Sequence, residues 1–162
     1  MLRCAMIAVP LWAMSLEAGA VDRDDHDPLR FFEGKTESVS TVKVIFKKAY
    51  RTRALGTGHI ENGRLELVQR VERDGHPTKI RRWSIHQVGP NHYSGTMNEA
   101  VGPVDIQEVD GRYRFRFKMD GHLSVEQWLT PEPGWRSAGN SLTVRRFGIK
   151  VGSSEGTIRK IG

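Results

Sequence analysis

Cysteine is nearly absent from this chain of 162 residues. The one cysteine, Cys4, lies inside an apolar N-terminal segment. A single thiol excludes a disulfide framework and a zinc site built from several thiolates. No Gly-x-Ser-x-Gly sequence is present either, so the nucleophile motif of the α/β-hydrolases is missing. Without disulfides or a thiolate zinc site, the fold must be held together by core packing and strand pairing.

Long apolar runs are also missing. Residues 1–20 combine Arg3, a short apolar stretch and the small residues Ala18-Gly19-Ala20. A membrane-spanning helix needs about 20 apolar residues, more than this stretch provides. The pattern is typical of a secretory signal peptide, with an N-terminal membrane anchor as the alternative. We expect cleavage near Ala20, a mature chain of 142 residues and a periplasmic location.

Acidic residues are fewer than basic ones, 19 against 25, which gives a net charge of +6 and a pI near 9.8. We interpret residues 21–28 as a flexible acidic leader and residues 29–162 as one domain. That domain has 23 basic and 14 acidic residues, a net charge of +9. Such a charge favours an acidic partner. Since export separates the protein from nucleic acid, we expect an anionic membrane surface or lipopolysaccharide as partner, and no nucleic acid.

Helical periodicity is not sustained anywhere after Ala49, and residues 41–49 are expected to form a bend or one short helical turn. Turn signals recur instead, mostly ten to fifteen residues apart. They are Asn62-Gly63, Asp74-Gly75, Gly89-Pro90-Asn91, Asp110-Gly111, Asp120-Gly121, Pro131-Glu-Pro-Gly134, Ala138-Gly139-Asn140 and Val151-Gly-Ser-Ser154. This spacing predicts eight to ten short strands.

Alternation of apolar and polar residues supports the strand prediction. In residues 112–119 one face holds Tyr113, Phe115, Phe117 and Met119, and the other holds Arg112, Arg114, Arg116 and Lys118. The same alternation places Gln69 on the apolar face with Leu65 and Leu67. It also places Gln127 on the apolar face of its strand with Val125.

Many consecutive short strands joined by tight turns favour a meandering antiparallel sheet. Closing such a sheet removes its exposed edges. We therefore predict an all-β, antiparallel up-and-down barrel of the lipocalin or calycin type, with a sandwich as the alternative. The interior of a barrel of this size is either filled by side chains or holds one small ligand.

Several short patterns also resemble an uncharacterised bacterial family known as domain of unknown function 3833. They are Phe31-Phe-Glu-Gly34, Arg82-Trp83, Tyr93-Ser-Gly95, Val101-Gly102, Glu126-Gln-Trp128, Arg146-Phe-Gly-Ile149 and Val151-Gly152. The resemblance implies an exported protein with a lipocalin-like barrel. It also implies a loose association with enzymes that modify membrane fatty acids.

The leading functional hypothesis is a barrel without enzymatic activity that binds an apolar or lipid-like molecule. We expect a monomer with no cofactor. We also expect no metal site, because the six histidines are scattered without the spacing that metal ligands need. The candidate ligand contacts are Leu65, Leu67, Tyr113, Phe115, Phe117 and Val125 as wall, with Gln69 and Gln127 as polar groups.

Two other classes of function remain open. One is a small barrel enzyme of the isomerase or cyclase type that acts on a fatty-acid derivative, with Glu126 or a barrel-facing histidine as its base. The other is an accessory protein that docks on the cell envelope through a basic face. The candidate contacts on that face are Arg112, Arg114, Arg116 and Lys118.

Overall fold

The computed structural model describes residues 27–162 as one short helix followed by ten strands. The predicted signal peptide and most of the predicted leader lie outside these residues. The elements are α1 (Pro28–Phe31), β1 (Gly34–Val44), β2 (Tyr50–Glu61), β3 (Arg64–Glu72), β4 (Lys79–Gly89), β5 (His92–Met97), β6 (Ala100–Val109), β7 (Arg112–Met119), β8 (Leu123–Pro131), β9 (Ser137–Arg146) and β10 (Ile149–Lys160).

The ten strands form a closed barrel in which each strand pairs antiparallel with its neighbours in the chain. β1 and β10 close the ring, with pairs running from Thr36↔Lys160 to Val44↔Gly152. The prediction of an up-and-down barrel is confirmed. Closure leaves no strand edge unpaired along the main ladder, which removes a common route to aggregation.

Turn positions agree with the sequence prediction at most hairpins, but two predicted turns are wrong. Residues 138–140 lie within β9 and residues 151–154 within β10. Their glycines are therefore strand residues, and Gly152 directly follows a register shift in the pairing of β10 with β9. The turn between these strands falls at Phe147-Gly148, where no turn signal was recognised. The bend expected in residues 41–49 is confined to residues 45–49.

One end of the barrel is closed by α1, a helix that was not predicted. Pro28 occupies its first turn, and the carboxylate of Asp27 caps it by accepting from the Leu29 backbone N–H at 2.9 Å. Below the barrel, Phe31 meets the Trp135 ring edge-on at a centroid distance of 6.4 Å. Tyr113 meets the same ring at 5.9 Å. These buried aromatic contacts form the floor of the barrel.

A buried carboxylate on the outer wall joins the strands that close the barrel. Glu37 of β1 is 7% exposed, although its side chain points away from the interior. It accepts from Arg53 Nε of β2 at 2.7 Å and from Arg159 Nε of β10 at 2.8 Å. These two guanidinium groups lower the pKa of Glu37. The carboxylate therefore stays ionised at neutral pH and connects three strands at the seam.

Replacing Gly58 with alanine tests the contact between α1 and the barrel. A Cβ atom at Gly58 would collide with the backbone carbonyl oxygen of Phe32, directly after α1. We expect Gly58→Ala to lower the free energy of unfolding by about 1–3 kcal/mol in urea titrations. Gly139→Ala is the matched control, because its nearest atom would lie at 3.9 Å. Equal stability of the two variants would contradict the proposed packing of the floor.

The Glu37 contacts predict a specific dependence of stability on pH. A carboxyl whose pKa is lowered by folding stabilises the protein above its ordinary pKa of about 4.3, and the stabilisation disappears as the pH falls through the lowered value. We expect Glu37→Gln to be less stable than wild type at pH 7 and to lose less stability on acidification. Glu61→Gln, at an exposed site, should follow the wild-type profile in thermal unfolding between pH 7 and pH 3. A wild-type acid profile for Glu37→Gln would contradict this role.

Candidate functional site

The barrel interior is hollow above the floor, with a cavity of about 350 Å³. Phe32 lies at its base, and the lining side chains extend from there toward the end of the barrel opposite α1. The volume falls within the range of about 300–1,000 Å³ that is typical of small-molecule sites. Whether the interior is filled or hollow could not be decided from sequence, and the structure shows that it is hollow.

One side of the cavity is apolar. It is formed by the inward side chains of β3, β4, β7 and β8, namely Leu67, Trp83, Ile85, Phe115, Phe117, Val125 and Leu129. Trp83 and Phe117 pack edge-on, with ring centroids 5.9 Å apart. This surface can exclude water from the body of an apolar ligand.

The opposite side of the cavity, on β1, β2 and β10, combines apolar side chains such as Val42, Ala54 and Ile158 with inward-facing hydroxyl groups. The hydroxyl groups belong to Ser38, Ser40, Thr52 and Ser154. Ser40 and Thr52 lie directly opposite each other on paired strands. Within residues 27–162, no side-chain hydrogen bond joins these four hydroxyls to another protein group. Each can therefore donate to, or accept from, a molecule in the cavity.

The open end of the cavity has charged groups at its margin. Arg81 Nε donates to Glu99 Oε2 at 2.8 Å, so this pair is neutral as a unit. Lys43 also lines the cavity. Tyr50, a further lining residue, is covered by the guanidinium of Arg73 at 3.5 Å from the ring centroid. The charged lining residues thus lie at the mouth, beside apolar residues such as Val44 and Met119.

Six of the eight predicted ligand contacts line this cavity. They are Leu67, Gln69, Phe115, Phe117, Val125 and Gln127. The other two, Leu65 and Tyr113, are buried in the core but are not part of the lining.

Both glutamines already have protein partners. Gln69 accepts from Trp83 Nε1 at 2.8 Å, and Gln127 donates to Asn140 Oδ1 at 2.7 Å. Each amide therefore has only its remaining donor or acceptor capacity for a ligand.

Glu126, the candidate base of the enzyme hypothesis, lies away from the cavity. It lines a more open groove of about 640 Å³ on the outer wall, next to Arg116 and Lys118. Its Oε1 accepts from Trp128 Nε1 at 3.2 Å. Alternation along β8 explains the placement, because Val125 and Gln127 face inward.

The basic row on β7 is largely engaged with polar neighbours. Arg112 donates to Thr130 at 3.2 Å, Arg114 to Gln107 at 2.7 Å and Arg116 to Asp105 at 2.9 Å. Only the contact of Arg116 with Asp105 is an ion pair, so it alone offsets a positive charge of the row. The three contacts together explain how a strand with four like charges on one face is tolerated.

Asp105 receives a second contact on the same outer wall, from His92 Nε2 at 2.7 Å. Burial alone would raise the pKa of Asp105, but the hydrogen bonds from Arg116 and His92 outweigh it and lower the pKa. Among residues 27–162, no three His, Cys, Asp or Glu side chains lie together as a metal site would require. The described part of the chain also contains no helix that is long and apolar enough to cross a membrane.

Sequence reasoning missed the hydroxyl side of the cavity and the Arg81–Glu99 pair at its mouth. The available signal was the alternation of small hydroxyl residues in β1, at Thr36, Ser38 and Ser40. Hydropathy counts assign such residues to the solvent face, so the inward direction of β1 was not recognised.

The closed ring of antiparallel strands around one cavity defines a lipocalin-like, calycin-type barrel. The chain belongs to the family described as "Protein of unknown function (DUF3833)", which it matches over residues 7–160. Among solved structures it is similar to an S-type phycobiliprotein lyase, CPES, from Guillardia theta. The TM-score is 0.67 at 7% identity, covering 83% of this chain and 90% of the other. No curated protein matches the sequence.

Proposed function

We propose that this protein binds one amphipathic, lipid-like molecule inside the barrel. The observation that supports this most strongly is a hollow interior whose lining is apolar on one side and carries unpartnered hydroxyls among apolar side chains on the other. A purely structural core would be filled at close-packed density, without room for a ligand. A hollow of about 350 Å³ lined in this way is instead typical of a small-molecule site.

The two sides favour different parts of a ligand. Burying hydrocarbon against Trp83, Phe115 and Phe117 releases water from both surfaces, and contributes about 25 cal/mol for each Å² of apolar area buried. The unpartnered hydroxyls of Ser40 and Ser154 favour a ligand with oxygen atoms along one edge. A fatty-acid derivative with hydroxyl, keto or ester groups meets both requirements.

Binding is a better account of this cavity than catalysis. The ionisable groups that line it are Tyr50 and the mouth residues Lys43, Arg81 and Glu99, and the last two neutralise each other. At the opposite end, burial raises the pKa of Tyr93 to about 12, so its phenol remains protonated at neutral pH. A general base at the apolar depth of the cavity is therefore not available from these groups.

We also propose that the protein acts outside the cytoplasm, in the envelope, where lipid-like ligands are abundant. The signal-peptide pattern of residues 1–20 supports this location. The family resemblance supports a link to envelope lipid modification. The similar phycobiliprotein lyase supports the barrel fold, and at 7% identity its activity is not transferred to this chain.

Native mass spectrometry of the protein purified from its own cells tests the proposal directly. We expect a mass excess that corresponds to one bound molecule, which disappears after organic extraction and is recovered as a lipid in the extract. Protein that is free of ligand in every preparation, and that takes up no lipid from an extract of the same cells, would contradict the proposal.

Filling the cavity should weaken ligand binding while leaving the barrel intact. Ala54 lines the cavity on β2, and Ala54→Phe should weaken the binding of a fluorescent fatty acid at least about tenfold, equivalent to about 1.4 kcal/mol. Val68 is exposed on the outer face of β3, so Val68→Phe is the matched control and should bind like wild type. Equal affinities for the two variants would place the ligand outside the cavity.

Removing the cavity hydroxyls should weaken the binding of an oxygen-bearing ligand more than the binding of an unsubstituted hydrocarbon chain. The double variant Ser40→Ala/Ser154→Ala should lose about tenfold in affinity for a hydroxylated fatty acid, since one hydrogen bond contributes about 0.5–1.5 kcal/mol. Its affinity for the unsubstituted acid of the same length should be nearly unchanged in the same competition assay. A parallel loss for both ligands would contradict the proposed orientation.

A further inference from the structure

Two neighbouring hairpins at the open end of the barrel form one side of its mouth. The β1–β2 hairpin turns at residues 45–49, and the β9–β10 hairpin turns at residues 147–148. β1 pairs with β10, and the backbone N–H of Ile45 donates to the Val151 carbonyl at 3.0 Å. The two turns are therefore held side by side. We call the apolar residues Ile45, Phe46, Phe147 and Ile149 of these hairpins the rim patch.

The rim patch is the most exposed apolar surface of the described chain. Phe46 is fully exposed, Phe147 is 73% exposed and Ile149 is 68% exposed. Within residues 27–162, every exposed phenylalanine and isoleucine belongs to this patch, and the other large exposed apolar residues are valines. Large side chains gathered in this way mark contact sites more often than scattered ones do.

The backbone conformation of the two turns does not favour phenylalanine. Phe46 and Phe147 have φ of 60° and 50°, in the left-handed region that bulky residues seldom adopt. Three turns at the closed end place Asn62, Asn91 and Asp110 in the same conformation, and the fourth places Trp135 there, whose ring packs into the floor. Asparagine and aspartate suit such turns. The aromatic rings are thus kept at the tips of the mouth at a cost to the local backbone.

The chain around the rim patch is basic. Residues 42–51 and 142–151 contain no aspartate or glutamate, and together they contain Lys43, Lys47, Lys48, Arg51, Arg145, Arg146 and Lys150. Among the described residues, none of these seven cations forms an ion pair. Their charge is therefore available to an external anionic surface, whereas Arg116 of the β7 row is paired with Asp105.

We propose that the rim patch docks on the surface of a bilayer that contains anionic lipid. Phe46 and Phe147 would enter the headgroup region, and the surrounding lysines and arginines would contact phosphates. A second copy of this chain fits less well, because a symmetric contact through the same patch would bring the cations of both copies together. Docking here turns the cavity mouth toward the membrane. The inference goes beyond ligand binding and does not rest on the cavity.

Vesicle flotation tests the proposal with phosphatidylglycerol–phosphatidylcholine vesicles and with phosphatidylcholine alone. The wild-type protein should bind the anionic vesicles, and raising the salt concentration should weaken this binding. The variant Phe46→Asn/Phe147→Asn should bind at least about tenfold more weakly, although asparagine suits both turns and thermal stability should not fall. The control Val88→Asn changes an exposed valine near the closed end and should bind like wild type.

A second pair of variants tests the charges. Lys47→Glu/Lys48→Glu reverses two cations of the mouth, whereas Arg64→Glu/Arg112→Glu makes the same net change at the closed end. The first should lose binding to anionic vesicles by at least about tenfold, and the second by less than about threefold. Equal losses would assign binding to the overall charge and overturn the proposal.

Further outcomes distinguish membrane docking from contact with a second copy and from ligand binding in the cavity. Wild-type binding by Phe46→Asn/Phe147→Asn would overturn the proposal. So would a dimer in sedimentation experiments that this variant disrupts, without vesicle binding by the wild type, since the patch would then meet a second copy. Ala54→Phe should still bind vesicles, so a failure of docking is distinguished from a failure of ligand binding in the cavity.

Discussion

β1 and β10 come from opposite ends of the described chain, and their pairing closes the barrel. Without this pairing the sheet would have two open edges, and the cavity would have no hydroxyl side. Glu37 reinforces the seam from outside, because one carboxylate contacts Arg53 of β2 and Arg159 of β10. The strands that complete the ring are also those that supply the polar side of the site. Closure of the barrel and the hydroxyl groups of the cavity thus depend on the same three strands.

The two ends of the barrel have different physical roles. At the closed end, α1 and Trp135 fill the interior with packed aromatic rings, and the tyrosines there stay protonated. At the open end the interior is hollow, and the hairpins carry exposed phenylalanines among unpaired cations. The closed end therefore stabilises the fold, while the open end is suited to exchange with the surroundings. Membership in the DUF3833 family and the likeness to a lipocalin-like lyase agree with this architecture.

Much of the barrel could be predicted because most of its strands have one buried and one solvated face. β7 is the clearest case, since Phe115 and Phe117 face the interior and Arg114 and Arg116 face outward, as alternation predicts. β1 could not be oriented in this way, because Ser40 points inward while Glu37 lies buried on the outside. Over residues 36–40 its hydropathy pattern is therefore inverted relative to its burial.

Glycine and aromatic residues account for the remaining errors. Glycine occurs in turns and also within strands that bulge or approach a neighbour closely, so Gly139 and Gly152 were assigned to turns although they lie in strands. A phenylalanine with positive φ gives no turn signal, so the hairpin at Phe147 was missed. The candidate site was predicted on its apolar side only, because hydroxyls facing a cavity have the same composition as hydroxyls facing water.

A crystal structure of the protein purified from its own cells, without added ligand, would show whether the barrel holds a bound molecule. We expect continuous density inside the barrel, lying along the side formed by Trp83 and Phe117, with polar branches toward Ser40 and Thr52. Side chains that collapse to fill the interior would contradict this expectation. Isolated water peaks along the apolar side, in crystals that remain empty after soaking with the extracted lipids, would contradict it equally.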